Sequence, residues 1–530
     1  MIVMLVGFMG AGKTTVGHIV AERLGLPFID SDVLIEQRLG RSIREVFETE
    51  GEPFFRELEH ETAKDLARSH DAVVALGGGA LGDPRTRAAM RHARVVYLRV
   101  GYDSAMKRVR RDKFRPLLNR PDLADIYEAR LPIYEALAAI SIDTDGRRPA
   151  AIALDVLGAV TRLPKVPAGG TSIFVTSVGG SYYAYIGPGL IRHVRELLPP
   201  LPEVERVALI EAREDAAVAA DVADQLRSMQ MDVVRIAVDD SQASKSMSTY
   251  ARVADAFAEH AIHKGDLVLA VGGESTCELA GFVAATFNRG MKLALVPTTL
   301  AAQADAAVGG KNGINLKQGH NLLGAIHQPL AVISDVQLAS RNRSRGYESG
   351  LAEIAKHALI ASSDLLPLLA ENAGELVAGD DEALRAAVAR SIEVKADIVS
   401  RDEREQGDRV FLNYGHTFAH AMEWVRSHER ADWDDSLALG LMAAAYLAHR
   451  QGRLDMSGVE AHRGLLQELG LPTTGRFDFE AMCEAWRRDK KYKGGMRFVV
   501  LNGLGNPEGG VHADFETLEL VLRDLAQSPA

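Results

Sequence analysis

Met1-Ile2-Val3-Met4-Leu5-Val6 runs directly into Gly7-Phe8-Met9-Gly10-Ala11-Gly12-Lys13-Thr14. The first stretch is a short apolar run that reads as a buried strand. The second fits the spacing G-x-x-x-x-G-K-[ST], and a helical stretch, Thr15 to Leu24, follows it. Strand, glycine loop and helix in that order raise a phosphate-loop match above chance. An ordinary glycine turn before a helix is the reading this context weighs against. The glycines let backbone N–H groups wrap phosphate oxygens with no Cβ in the way. The helix presents its positive end to the same anion. Lys13 is placed to reach the β- and γ-phosphates of a nucleotide, and the Thr14 hydroxyl to ligate Mg²⁺.

A chain of 530 residues is too long for one core, so two to four domains are expected. At 47% hydrophobic and 25% charged, its composition is that of an ordinary globular protein. The net charge of −11 argues against a general nucleic-acid binder, and it requires local Lys and Arg clusters to hold any anionic substrate. Two cysteines, Cys277 and Cys483, lie far apart, which fits a reducing cytoplasm and excludes a disulfide scaffold. The apolar start is too short to span a bilayer, and no later run is long enough, so no membrane partner is expected.

Residues 1–160 alternate short apolar strands with helices, with Val73-Val74-Ala75-Leu76 and Val95-Val96-Tyr97-Leu98 as further strands. This pattern predicts an α/β domain, a parallel sheet with helices on both faces. Residues 161–172 have the Pro/Gly composition of a linker. A second α/β pattern covers 173–335, with strands at Val207-Ala208-Leu209-Ile210, Leu267-Val268-Leu269-Ala270-Val271 and Leu293-Ala294-Leu295-Val296. From 336 to 530 the period is mostly helical.

In the first module, Phe28-Ile29-Asp30-Ser31-Asp32 ends a second strand. A carboxylate there orders Mg²⁺ through water, accepts a substrate hydroxyl, or simply caps a helix. Phe54-Phe55-Arg56-Glu57 sets an arginine among aromatics, and Gly77-Gly78-Gly79 follows a strand. Arg110, Arg111, Lys113, Arg115 and Arg120 crowd one segment, as a mobile cationic lid would. Together these motifs resemble shikimate kinase over 1–160. The resemblance implies ATP binding by Gly10, Ala11, Gly12, Lys13, Thr14, Thr15 and Arg115 of the RPLL lid, with Mg²⁺ on Thr14. It implies shikimate binding by Asp32, Arg56, Gly78 and Arg130, the last within Arg130-Leu131-Pro132-Ile133-Tyr134-Glu135. Lys13, Asp32 and Arg115 would be the catalytic groups.

The second module carries Pro297-Thr298-Thr299-Leu300, Asp305 to Asn312, Ala352-Glu353-Ile354-Ala355-Lys356-His357, Asp402-Glu403-Arg404-Glu405 and Asn413-Tyr414-Gly415-His416-Thr417-Phe418-Ala419-His420. On a helix, Glu353 and Lys356 share a face, as do His416 and His420. As an ordered set these motifs resemble 3-dehydroquinate synthase, of the sugar phosphate cyclases, over 173–510. The resemblance implies an NAD-binding α/β lobe followed by a mostly helical metal-binding lobe. It implies Zn²⁺ or Co²⁺ on Glu353 and His416, and acid/base work by His420. It places Lys311, Lys356 and Arg404 at the reacting substrate, and the NAD⁺ cofactor against Lys245, Gly273, Glu278, Thr298, Thr299, Lys311 and His320. Asp305, Lys395, Asn413 and Lys490 match as well.

Several positions depart from the family pattern. A glycine-rich pyrophosphate stretch here reads Gly272-Gly273-Glu274-Ser275-Thr276-Cys277-Glu278, which puts a carboxylate under a doubly negative group. Gln242 replaces a glutamate, and His320 replaces a lysine. Trp433-Asp434-Asp435 stands where a third metal-binding histidine is expected, and tryptophan offers only an N–H donor. The sequence therefore leads to a bifunctional cytoplasmic enzyme acting on shikimate with ATP and on 3-deoxy-arabino-heptulosonate 7-phosphate, with a homodimer through the larger module. The alternative is an active kinase joined to a catalytically impaired, structural or regulatory synthase-like lobe.

Overall fold

The computed structural model describes residues 2–68, 71–109, 122–162, 164–317, 319–361, 364–426, 436–488 and 496–527. Arg115, Trp433 and Lys490 therefore lie outside the described residues. The chain packs as two compact units, 1–165 with 173–181, and 166–172 with 182–530.

In the first unit the strands are β1 (Ile2–Val6), β2 (Phe28–Asp30), β3 (Ala72–Ala75), β4 (Arg94–Arg99) and β5 (Ile140–Asp143). They form one sheet in the order β2-β3-β1-β4-β5, with every pairing parallel. A parallel strand inside such a sheet is covered on both faces, which is why β1 is apolar and buried at all five positions. The order matters for chemistry. It places the carboxyl ends of β2, β3 and β1 side by side, so the Asp30 corner, the glycine triplet after β3 and the phosphate loop after β1 become neighbours. Gly10 and Gly12 sit at φ 79° and 90°, where a side chain is strained, and this turns the loop into the helix Lys13–Leu24.

Further along come β6 (Thr171–Ser177), β7 (Gly180–Gly187), β8 (Arg206–Ala212), β9 (Asp232–Val238), β10 (Leu267–Gly272), β11 (Lys292–Pro297), β12 (Lys311–Leu316), β13 (Gly319–Ile326) and β14 (Ala331–Asp335). Strands β7, β14, β11, β10, β8 and β9 lie side by side in that order, all parallel. β10 is buried throughout and turns at Gly273 into the helix Glu274–Thr286. A single π-helical turn, Ala302–Ala306, carries Asp305; such turns recur at functional sites.

The helices Tyr347–Ala361, Asp381–Arg401, His416–Arg426, Ser436–Arg450 and Met456–Glu468 follow, as the helical period predicts. An antiparallel hairpin, β15 (Met496–Leu501) with β16 (Pro507–Ala513), interrupts the helical run. Its first strand buries Met496, Phe498, Val499, Val500 and Leu501, an apolar run too short to distinguish strand from helix by period alone. No helix among the described residues is long and apolar enough to cross a membrane.

Candidate functional sites

In the first unit the site is built where three strand ends meet. Lys13 Nζ donates to the Gly7 carbonyl at 2.7 Å, which curls the loop around its own lysine. Thr14 Oγ1 donates to Asp30 Oδ2 at 2.9 Å. Asp30 also caps the next helix, Ser31–Leu39, accepting from the Asp32 N–H at 3.2 Å. The capping reading of this corner holds through Oδ1, while Oδ2 of the same carboxylate receives Thr14. Two hard oxygens so close suit Mg²⁺, so the residues present fit that ion.

The glycine triplet is explained by what surrounds it. A Cβ on Gly77 would stand 2.5 Å from Asp32 Oδ1 and 2.8 Å from Glu59 Oε1, and one on Gly79 would collide with the Arg56 guanidinium. One on Gly78 would stand 3.8 Å from Arg130 Nη1. Asp32, Arg56, Gly78 and Arg130 are thus brought together at one spot beside the phosphate loop. Ser31 Oγ accepts from the Gly77 N–H at 2.9 Å, and Tyr134 donates to the Gly78 carbonyl at 2.8 Å, so the triplet is pinned from both sides.

Sequence reading missed Glu59. It is buried on the Gly51–Ala67 helix one turn from Arg56, and it accepts from Arg56 Nη1 at 2.6 Å. Burial raises its carboxyl above the usual range, against the pull of Arg56. The i,i+3 spacing from Arg56 was the available signal. Arg108 was missed too: it donates to the Gly10 carbonyl at 3.0 Å and to the Thr144 carbonyl at 2.6 Å, which fastens the phosphate loop to the segment after β5.

In the second unit the helical part gathers a buried charged cluster. Glu353 Oε1 stands 3.2 Å from His416 Nε2, and its other oxygen receives Lys356. Asp305 Oδ1 lies 2.9 Å from Lys395 Nζ and 3.7 Å from Lys356 Nζ. Burial raises the Asp305 and Glu353 carboxyls, but the neighbouring lysine ammoniums overturn this and hold both ionised. The His416 and His420 rings are 5.6 Å apart. His357, fully buried beside Lys356, bonds Ser391 Oγ at 2.6 Å and lies 3.2 Å from Asp305 Oδ1; burial pushes its imidazole down to about 4, so it is neutral.

Asp305, Glu353 and His357 each offer one ligand atom within 4.8 Å of the others. Of the two ligands expected from the sequence, Glu353 belongs to this trio and His416 stands 3.2 Å from its Oε1, while Asp305 and His357 are residues that sequence reading did not name as ligands. Glu423, one turn beyond His420, is a further acidic neighbour; burial and the Glu353 charge push it up to about 7. Lys311 pairs with Glu405 at 2.7 Å, and Arg404 is exposed.

The crevice at the carboxyl ends of β8 to β11 looks different. Lys245, fully buried, is spent on Glu278. Thr298 Oγ1 donates to Asp215 at 2.6 Å, and Thr299 is buried beside it. His320 lies on β13; desolvation and then the Lys245 charge push its imidazole down. Glu274, at the start of the helix after β10, is pushed up to about 8 by burial and by Glu278. Gly273 faces the Asp240 carboxylate, which occupies the space a Cβ would take. A carboxylate therefore already stands at the start of this helix, accepting from the Gly273 N–H at 3.0 Å, where the resemblance places the NAD⁺ pyrophosphate.

Comparison with known proteins agrees with this division. The family model for shikimate kinase matches residues 9–161. Those for the N-terminal and C-terminal parts of 3-dehydroquinate synthase match 235–348 and 350–492. The 3-dehydroquinate synthase of Arthrobacter sp. (strain FB24) is 38% identical over 335 residues, covering 62% of this chain and 91% of that one. A 2-deoxy-scyllo-inosose synthase solved with carbaglucose-6-phosphate, NAD⁺ and Co²⁺ shares the fold, with TM-score 0.61 at 22% identity over 67% of this chain and 99% of that one. The shikimate kinase of Acinetobacter baumannii, solved with shikimate, is 38% identical over 30% of this chain and 92% of its own, with TM-score 0.30.

Proposed function

Because the larger part of this chain belongs to the 3-dehydroquinate synthase family and a shikimate kinase module precedes it, we propose a bifunctional enzyme of aromatic biosynthesis. Its first unit transfers the γ-phosphate of ATP to a hydroxyl of shikimate, giving 3-phosphoshikimate. Its second performs a 3-dehydroquinate synthase-type conversion of 3-deoxy-arabino-heptulosonate 7-phosphate to 3-dehydroquinate and phosphate.

The convergence of Asp32, Arg56 and Arg130 on the glycine triplet, one strand from the phosphate loop, carries the kinase reading. Arg56 and Arg130 hold the acid's carboxylate, and Asp32 accepts the proton of the attacking hydroxyl. Backbone N–H groups of the loop and Lys13 hold the phosphates in line and offset the charge that develops on them. Thr14, with Asp30 behind it, would hold Mg²⁺, which supplies further charge neutralisation when bound. Tyr134 and Ser31 keep the triplet from moving, so the acceptor is fixed rather than sampled. The test is formation of ADP and 3-phosphoshikimate from ATP and shikimate, with and without Mg²⁺; no product under any condition sinks the reading.

For the second unit the support is the relatives' identity together with the Asp305, Glu353, Lys356, Lys395 and His416 cluster. Lys356 and Lys395 are buried cations set to hold an anionic sugar phosphate, and Asp305 and Glu353 keep them charged and oriented. Glu353 and His416 would hold a divalent metal, which polarises substrate oxygens when bound. One observation, the Asp240 carboxylate packed against Gly273, favours the second reading, in which this unit is catalytically quiet. Phosphate release from the heptulosonate phosphate by the full chain, supplied with Co²⁺ and NAD⁺, separates the two.

A further inference from the structure

Phe8 is the second residue of the phosphate loop, at a position that the loop's spacing leaves free. Its carbonyl stays with the loop and accepts from Lys13 Nζ at 3.3 Å. Its ring is 1% exposed and packs against the helix Leu123–Leu137. The Tyr127 ring meets it edge-on, 5.1 Å between centres, and the Arg130 guanidinium stands over it, 6.0 Å from the ring centre. Tyr127, Arg130 and Tyr134 follow one another at spacings of three and four residues, so they share one face of that helix. Tyr127 is itself tied by its hydroxyl to the Val100 carbonyl at 2.9 Å, and Tyr134 to the Gly78 carbonyl at 2.8 Å.

The two arginines at the glycine triplet are held in different ways. Arg56 is gripped by two carboxylates, Glu52 at 2.7 Å and Glu59 at 2.6 Å. No ion pair reaches Arg130 among the described residues; the Phe8 ring lies against it instead. A carboxylate partner occupies the N–H fork of a guanidinium and offsets its charge. An aromatic face takes only the flat side, and leaves fork and charge to another anion. Arg130 Nη1 is also the atom that a Cβ on Gly78 would approach to 3.8 Å, so the free edge lies beside the triplet. A long side chain left to sample its rotamers loses affinity when an anion orders it, and a ring that orders it beforehand removes that cost.

We propose that Phe8 is a positioning residue for Arg130. Its ring holds the guanidinium by the flat side, with the N–H fork left to the carboxylate of the acceptor. A residue of the nucleotide loop thereby becomes part of the acceptor site: its main chain serves Lys13 and its side chain serves Arg130. This rests on reading the first unit as a shikimate kinase.

The experiment follows kinase steady-state kinetics of the full chain, each substrate varied in turn, for the unaltered chain, Phe8→Leu, Arg130→Ala and the double variant. Phe8→Leu keeps an apolar side chain and removes the aromatic face. It is expected to raise the shikimate KM about 5-fold or more, while kcat and the ATP KM stay within about 2-fold, because only the cation–π contact is lost. In the Arg130→Ala background the same substitution is expected to change kcat/KM for shikimate by less than about 2-fold, since the group it acts through is gone. A packing role alone gives the opposite pattern, in which both Michaelis constants move together and the two substitutions multiply. That pattern, or an unchanged shikimate KM in Phe8→Leu, overturns the assignment of Phe8. Should Phe8→Leu fail to fold, Phe8→Met decides by the same readouts. No turnover by the unaltered chain sinks the kinase reading and this role with it, whereas turnover with multiplying effects sinks this role alone.

Discussion

Thr14 Oγ1 donates to Asp30 Oδ2 across 2.9 Å at the joint between the phosphate loop and the second strand. The hydroxyl that ligates Mg²⁺ in such loops thus has a carboxylate directly behind it, able to act on the same ion through water. Asp30→Asn keeps the acceptor for the Asp32 N–H and removes the charge. Its expected effect is a rise of about 10-fold in the Mg²⁺ concentration needed for half-maximal kinase rate, from loss of one charged contact of about 1–2 kcal/mol. A Mg²⁺ titration at saturating ATP and shikimate measures it.

Lys13→Ala removes the fixed cation beside the transferred phosphoryl. The kinase rate is expected to fall roughly 10²-fold or more, since a charged group aimed at developing charge contributes several kcal/mol. Unchanged turnover would remove the phosphate loop from the mechanism.

Gly77→Ala tests the acceptor site rather than the nucleotide site. The new Cβ would press on Asp32 Oδ1 and on the buried Glu59 carboxylate that orients Arg56. The KM for shikimate is expected to rise by about 10–100-fold, the cost of displacing one or two charged hydrogen bonds, while the KM for ATP stays within about 3-fold. Steady-state kinetics with each substrate varied in turn decide it, and an equal rise in both constants would contradict the assignment.

Glu274 gives the second unit a pH dependence of definite sign. Its carboxyl titrates near 8 in the fold, against an ordinary value of 4.5, because burial and Glu278 oppose its charge. Between those values the folded chain holds a proton that the unfolded chain has lost, so stability declines as pH rises across that window. Glu274→Gln removes this slope. The variant is expected to match the unaltered chain near pH 5 and to exceed it at pH 8 by on the order of 1–3 kcal/mol, discounted for partial exposure. All three tryptophans, Trp424, Trp433 and Trp486, lie in the second unit, so urea unfolding followed by their fluorescence reports on it.

Trp433→His combined with Glu274→Gly restores an imidazole and a glycine where the family pattern has them. Bound zinc, measured by mass spectrometry after dialysis, is expected to rise toward one per chain, with NAD⁺ affinity rising at least 10-fold. If neither moves, the second unit has diverged beyond these two positions and a structural role is the better account.

The sequence by itself determined the phosphate loop, the parallel β-α order of both modules and the shared helical face of Glu353 and Lys356. Each of these depends on residues within a few positions of one another, where spacing alone sets which side chains point the same way. The strand order β2-β3-β1 was beyond it, and with that order the meeting of Asp32, Glu59, Arg56 and Arg130 over Gly77 to Gly79. Glu274 was legible as a misplaced carboxylate; Asp240, bonded to the same helix from 33 residues upstream of Gly273, was not. A carboxylate's partner is whichever donor the folded sheet brings within 3 Å, and such a donor can come from anywhere in the chain. Local sequence therefore specified which groups carry the chemistry, and only the tertiary structure decided which of them are already spent on each other.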